Sequence, residues 1–281
     1  MESIEKLGER LEAMEHRGRM MERRLRWWRI LACGLVVFGL VILPLVGGTA
    51  QEQSSYERAL ARRLAALEYK LQYITGGANE VVITGANLRI VNGLGNTLST
   101  NGLGNLIVGY NELRQESPDC PFFLTLTCTD TRTGSHNVVV GKANNFSNVG
   151  GLVVGEFNEI RAEYASVSGG FANLASGGHS SVSGGQNNTA SGPTASVSGG
   201  GARNVASGAI ASVSGGLENT ASGAQASVSG GALNTASGSF ASVSGGRENT
   251  AVGDFASVSG GFQRTAPGQN NWAAGPLFAT Q

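Results

Sequence analysis

The pentapeptide SVSGG begins at Ser166, Ser181, Ser196, Ser212, Ser227, Ser242 and Ser257, stepping by fifteen residues except for one step of sixteen, where Gly201 reads as the extra residue. Self-similarity at a fixed period defines an array, in which each unit can be stable only against its neighbours. The unit is S-V-S-G-G-x-x-N-T-A-S-G-x-x-A, numbered below as positions 1 to 15. Val fills position 2 in every copy (Val167, Val182, Val197, Val213, Val228, Val243, Val258). Asn fills position 8 in most (Asn173, Asn188, Asn219, Asn234, Asn249, with Asn204 displaced by the insertion).

SVSGG and NTASG each alternate small or apolar residues with hydroxyl residues and run into a glycine corner, the period-two pattern of strands. Each repeat is therefore expected to be one coil with two strands, and the fold class mainly β, a parallel β-roll or β-solenoid of about fifteen residues per coil. A lone coil buries little more than Val and Ala, too little against the entropy of ordering it. Stability must come from stacked neighbours, with other chains as an open further source. The Asn column is expected to form an amide ladder along the stack.

The pattern extends upstream in a more apolar form. GLVVGEFNEIRAEYA from Gly151 aligns with SVSGGFANLASGGHS, and NVVVGKANN from Asn137, NLIVGYNE from Asn105 and VVITGAN from Val81 precede it. The head is expected over 77–268, with a fatter core at its N-terminal end.

The unit SVSGGxxNTASGxxA resembles the head repeats of trimeric autotransporter adhesins of the YadA-like type. The similarity is close from Asn137 to Gly268 and looser from Val81 to Glu112. It implies a left-handed parallel β-roll, three chains wide, used for attachment at a bacterial surface. The Val column and the Ala column of position 10 (Ala175, Ala190, Ala206, Ala221, Ala236, Ala251, Ala266) would then point to the roll interior or to the threefold axis. The chain departs from that family at its C-terminus, where PLFATQ follows the last repeat in place of membrane β-barrel strands.

Spacings of three and four also alternate along Ile4, Leu7, Leu11, Met14, Gly18, Met21, Leu25 and Trp28, and again along Leu60, Leu64, Leu67, Leu71 and Ile74. These are heptad seams, read as a cytoplasmic helix over 1–29 and a coiled-coil stalk over 49–76. They point to a homo-oligomer, with the number three coming from the resemblance. Between them, Ile30 to Val46 carries no charge, and six arginines crowd its N-terminal side (Arg17, Arg19, Arg23, Arg24, Arg26, Arg29). Residues 30–48 are read as a single membrane-spanning helix with its N-terminus cytoplasmic and the head outside. The alternative is a secretory signal cleaved near Ala50.

Charge narrows the partners. The chain has 20 basic and 20 acidic residues, and from Ser166 to Gly268 the only ones are Arg203, Glu218, Arg247, Glu248, Asp254 and Arg264. No basic stripe is available to a phosphate backbone, so nucleic acid is not an expected partner. His16, His136 and His179 are isolated, and no Ser lies in a G-x-S-x-G elbow. The glycine pairs recur as corners and open no helix, unlike a dinucleotide fingerprint. No enzyme activity, metal or cofactor is expected.

Two functional readings remain open, an adhesin-like module that binds a cell-surface, glycan or matrix ligand multivalently, and a structural spacer without a ligand. Ice binding is a minor third, weakened by Leu174 and Val205 in the Thr row. In the terminal segment 269–281, Trp272 and Phe278 are candidates for a tip contact or for a cap on the last coil. The segment RQESPDCPFFLTLTCTDTRTG, within an inserted loop at 114–135, breaks the repeat and carries Cys120 and Cys128. An oxidising location would favour a disulfide between them, which requires a loop or hairpin because an extended segment holds them too far apart. A cross-chain bond and free thiols are the alternatives.

Overall fold

The computed structural model describes residues 50–114 and 128–275, in two compact units divided between Leu88 and Arg89. The first unit contains a helix, α1 (Ala50–Leu71), followed by a two-stranded antiparallel pair, Ile74–Thr75 with Val82–Ile83. The segment from Val81, expected as a coil of the roll, is thus one arm of a hairpin. The reason lies at Gly76, where a Cβ would come within 2.2 Å of the Glu80 carbonyl oxygen. Glycine alone permits that tight return, after which the Thr84 N–H donates to the Tyr73 carbonyl at 2.9 Å. Leu60, Leu64, Leu67 and Leu71 of α1 are all exposed, at 45–54%. The heptad segment 1–29 and the apolar run Ile30–Val46 lie outside the described residues. Among the described residues no helix is long and apolar enough to cross a membrane.

The second unit is a parallel β-solenoid. One sheet has eleven strands, from Leu106–Val108 to Trp272–Ala273, and the other has nine, from Asn145–Phe146 to Thr265–Ala266. From the coil at Val138 onward, each coil places its position-2 strand in the first sheet and its position-10 strand in the second, and every neighbouring pair is parallel. Pairing is column on column, Val213 on Val228 and Ala221 on Ala236. Side chains alternate across a strand, so positions 2 and 10 face inward while the flanking hydroxyl residues face out.

The main core is a continuous cluster closed within one chain, with a smaller cluster of Ala143, Phe157, Ala172 and Leu174 beside it. Val167, Val182, Val197, Val213, Val228 and Val258 are 0% exposed and Val243 1%, and Ala175 through Ala251 of the position-10 column are likewise fully buried. Both columns point to the interior of their own coil. A third column at position 15 (Ala165, Ala195, Ala211, Ala226, Ala241, Ala256) completes it and was not singled out by the strand pattern. Toward the N-terminal end Phe146 and Ile160 fill the interior that later coils fill with alanine.

Three coils depart from the fifteen-residue step: Val138 to Leu152 and Leu152 to Ser166 are steps of fourteen, and Ser196 to Ser212 is a step of sixteen. Leu152 pairs with Ser166 and Val153 with Val167, so the strand at Gly151 is shifted by one from its expected alignment and that coil has one residue fewer. In the sixteen-residue coil it is Gly201 that keeps the regular corner, since its carbonyl accepts from the Gln186 N–H as Gly185 does from Phe171. The extra residue is taken up at Gly199–Gly200, with open space around a Cβ placed on Gly200. The insertion leaves the stack after Val108 and returns at Val138, and those strands pair directly, Leu106 with Val138. A lateral excursion is therefore tolerated without breaking the ladder.

Candidate interaction surface

The Asn column fixes the outer geometry. Asn219 donates through Nδ2 to the Gly215 carbonyl of its own coil and to the Gly231 carbonyl of the next, both at 2.9 Å, and its Oδ1 accepts from the Asn234 backbone N–H at 3.0 Å. Asn173, Asn234 and Asn249 repeat this pattern, and Asn188 lends its own Oδ1 to the Asn204 N–H. The ladder is thus one of side chain to backbone, in place of the expected amide-on-amide stacking; Asn204 alone, beside the inserted glycine, donates to another amide, Asn188 Oδ1 at 3.1 Å. It begins earlier than the SVSGG copies, at Asn144 and Asn158, and ends where Arg264 replaces Asn.

Each coil turns at two residues in left-handed backbone conformation, at positions 7 and 14. Glu218, Leu233 and Glu248 (φ 57–59°) represent the first corner, and Ile210, Gln225, Phe240 and Phe255 (φ 57–60°) the second. Their N–H groups donate backward along the stack, Glu218 to Ala202 and Phe240 to Ala224, whereas the strand N–H groups donate forward. This reversal requires the left-handed corner, and it turns those side chains outward.

The corners form two ridges of varied chemistry. On one, Phe240 and Phe255 stack with ring centroids 4.9 Å apart, and Tyr164 stacks on His179 at 5.1 Å. Ile210 is 58% exposed, Phe240 46% and Phe255 52%. On the other, Leu217, Leu233 and Phe262 are exposed. Charges on this ridge pair along the stack, Arg203 with Glu218 at 2.7 Å and Arg247 over the Phe262 ring. Between the ridges the first sheet presents its position-1 and position-3 serines.

Trp272 lies on the Ser row, paired with Ser257, and its Nε1–H donates to Ser259 Oγ at 2.8 Å. Its ring is largely exposed, and Ala273 takes the place beside Val258 in the Val column. Cys128 is disulfide-bonded, while Cys120 and Phe278 lie outside the described residues.

The base of the insertion holds a buried ion pair that residue spacing gave no way to find. The Arg114 guanidinium, 1% exposed, donates to Glu159 Oε2 at 3.0 Å and to the carbonyls of Ala143, Phe157 and Asn158 at 2.7–2.8 Å. Burial pulls Arg114 below the ordinary arginine value, and Glu159 opposes that shift. Burial likewise lowers Arg132, against the pull of Asp130 3.3 Å away. Four charge-assisted bonds on one side chain make this a clamp between the insertion and two coils. Among the described residues no group of three or more His, Cys, Asp or Glu is placed to hold a metal ion.

No family model and no curated protein matches the chain.

Proposed function

We propose that the protein is a membrane-anchored, surface-exposed trimer whose solenoid head binds a cell-surface or matrix ligand multivalently, in the manner of an adhesin. The observation that carries this reading is the pair of exposed ridges: on the first, Ile210, Phe240 and Phe255 stand at one corner of the stack, with Gln225 on the coil between Ile210 and Phe240, on a head with few charges. Coils lie roughly 4.8 Å apart, so an extended ligand would meet equivalent corners at a fixed short interval. Weak contacts repeated along one chain, and again across several, multiply into avidity without any single deep pocket. The exposed leucine seam of α1 is consistent with chain association.

A glycan and matrix-protein array, comparing the oligomer with a variant held monomeric by polar substitutions at Leu60, Leu64 and Leu67, tests this reading. Binding that is strong for the oligomer, weak for the monomer and little changed by salt supports it, since there is little charge to screen. Absence of binding across the array favours the second reading, a spacer, which the uniform position-1 and position-3 serines of the first sheet also suit.

A further inference from the structure

The sequence NGLGN occurs twice nine residues apart, at Asn92–Asn96 and Asn101–Asn105. In both copies the first Asn accepts through Oδ1 from the Leu N–H two residues on, at 3.0 Å for Leu94 and 3.1 Å for Leu103. In both, the two glycines have left-handed φ of 75–83°. The copies differ in what their donors meet. In the second copy the Gly102 N–H donates to the Thr133 carbonyl and Asn105 Nδ2 to the Gly102 and Gly134 carbonyls. A Cβ on Gly104 would strike the Asn92 backbone nitrogen at 2.5 Å, so this copy is consumed by packing.

In the first copy the same groups are idle. The N–H groups of Gly93, Gly95, Asn96 and Thr97 and the Asn96 side-chain amide meet no acceptor among the described residues. A Cβ on Gly93 or Gly95 would have nothing within 4 Å. These residues, with Arg89, Val91, Asn92 and His136, line an open cleft of about 390 Å³, within the range of small-ligand sites. Among the described residues the Arg89 guanidinium has no ion-pair or hydrogen-bond partner, and the lining contains no carboxylate. The cleft floor is held in place from below: the Asn92 N–H donates to His136 Nε2 at 3.2 Å, His136 Nδ1 faces the Thr97 carbonyl at 3.0 Å, and Asn92 Nδ2 donates to Ser99.

We propose that this cleft binds an oxyanion, a carboxylate, phosphate or sulfate group carried on a ligand of about monosaccharide size. A run of backbone N–H groups through left-handed glycines forms an anion-accepting concavity. A guanidinium at its wall supplies the charge and a two-pronged donor. The position of the site at the N-terminal end of the solenoid is independent of the corner ridges, so its test stands apart from theirs.

Isothermal titration of the full chain at constant ionic strength, with sulfate, phosphate and glucuronate as separate probes and N-acetylglucosamine as the neutral one, decides the matter. Saturable binding of at least one anion, with the neutral sugar silent, is expected, and the strongest of the three tells planar from tetrahedral oxyanions. Arg89→Gln should weaken that binding roughly tenfold or more, the usual scale for losing a hydrogen bond to a charged group. Asn96→Asp keeps the acceptor for the Leu98 N–H while placing a negative charge at the rim, and it should weaken binding as much. Should either variant melt below the native chain, Arg89→Lys replaces it, with a smaller loss expected. No saturable binding of any anion, equal binding of the neutral sugar, or affinity unchanged by the substitutions would overturn the assignment.

Discussion

A buried Asn in this solenoid differs from a surface Asn by three satisfied backbone groups. Removing the amide of Asn219 leaves the Gly215 carbonyl and the Asn234 N–H without partners in a site closed to water, and leaves the Gly231 carbonyl with the Leu217 N–H alone. Asn219→Ala should therefore cost about 3 kcal/mol, set by the penalty for buried unpaired polar groups. Thr220→Ala, one residue on and facing outward, should cost less than about 0.5 kcal/mol. Urea midpoints of the two variants make the comparison, and equal shifts would remove the ladder as a source of stability. Ile210 carries the opposite kind of strain, a β-branched side chain at φ 60°, where L-residues other than Gly, Asn and Asp are disfavoured. Ile210→Asn should raise stability by about 1 kcal/mol while removing an apolar contact from the ridge. A variant that is more stable yet binds surfaces less well is the expected signature, read from thermal melting beside array binding.

Two glycine columns, at positions 5 and 12, set the height of each coil, because a Cβ on Gly216 or on Gly223 would strike the next coil's backbone. Gly223, at position 12, lies so near the next coil that a Cβ would sit 1.9 Å from the Gly238 carbonyl oxygen and 2.5 Å from its carbon. That neighbour is backbone in a paired stack and cannot give way without opening the step. Gly223→Ala is expected to cost about 3 kcal/mol, the upper end of ordinary overpacking. Gly184→Ala serves as the contrast, because its Cβ would meet nothing within 4 Å and its φ is not left-handed. It should stay within about 0.5 kcal/mol of the native chain, and denaturation of the pair checks both. The same columns explain which elements could be read in advance. Val at position 2 and Asn at position 8 keep one chemistry in most copies, so their recurrence marked strand and ladder directly. The left-handed corners at positions 7 and 14 left no such mark, since Glu, Leu, Gln, Phe and Ile occupy them. Their conformation is imposed by the backward hydrogen bond and not by a residue that prefers it. The coil at Leu152 was misaligned because dropping one glycine leaves Asn158 in place while moving the strand before it. Arg114 and Glu159, 45 residues apart, meet only once the insertion folds back, and local pattern holds no trace of that.

At the scale of the whole molecule, the Val and Ala interior that depends on stacked neighbours is closed coil by coil inside one chain. Exposed apolar side chains include the leucine seam of α1, the corner ridges and the Leu106–Val108 strand, surfaces suited to association and binding. Nearest-neighbour stacking governs stability in such arrays, each coil protecting the next. The central claim, that a single chain closes its own stack and leaves its outer rows free, is tested most directly by hydrogen exchange across the chain from dilute to concentrated solution. The strand amides from Val138 to Ala266 should form one protected block whose protection does not change with protein concentration, bounded by faster exchange in the exposed coil 89–105. Protection of that block which disappears on dilution would contradict the claim and place the core between chains instead of within them.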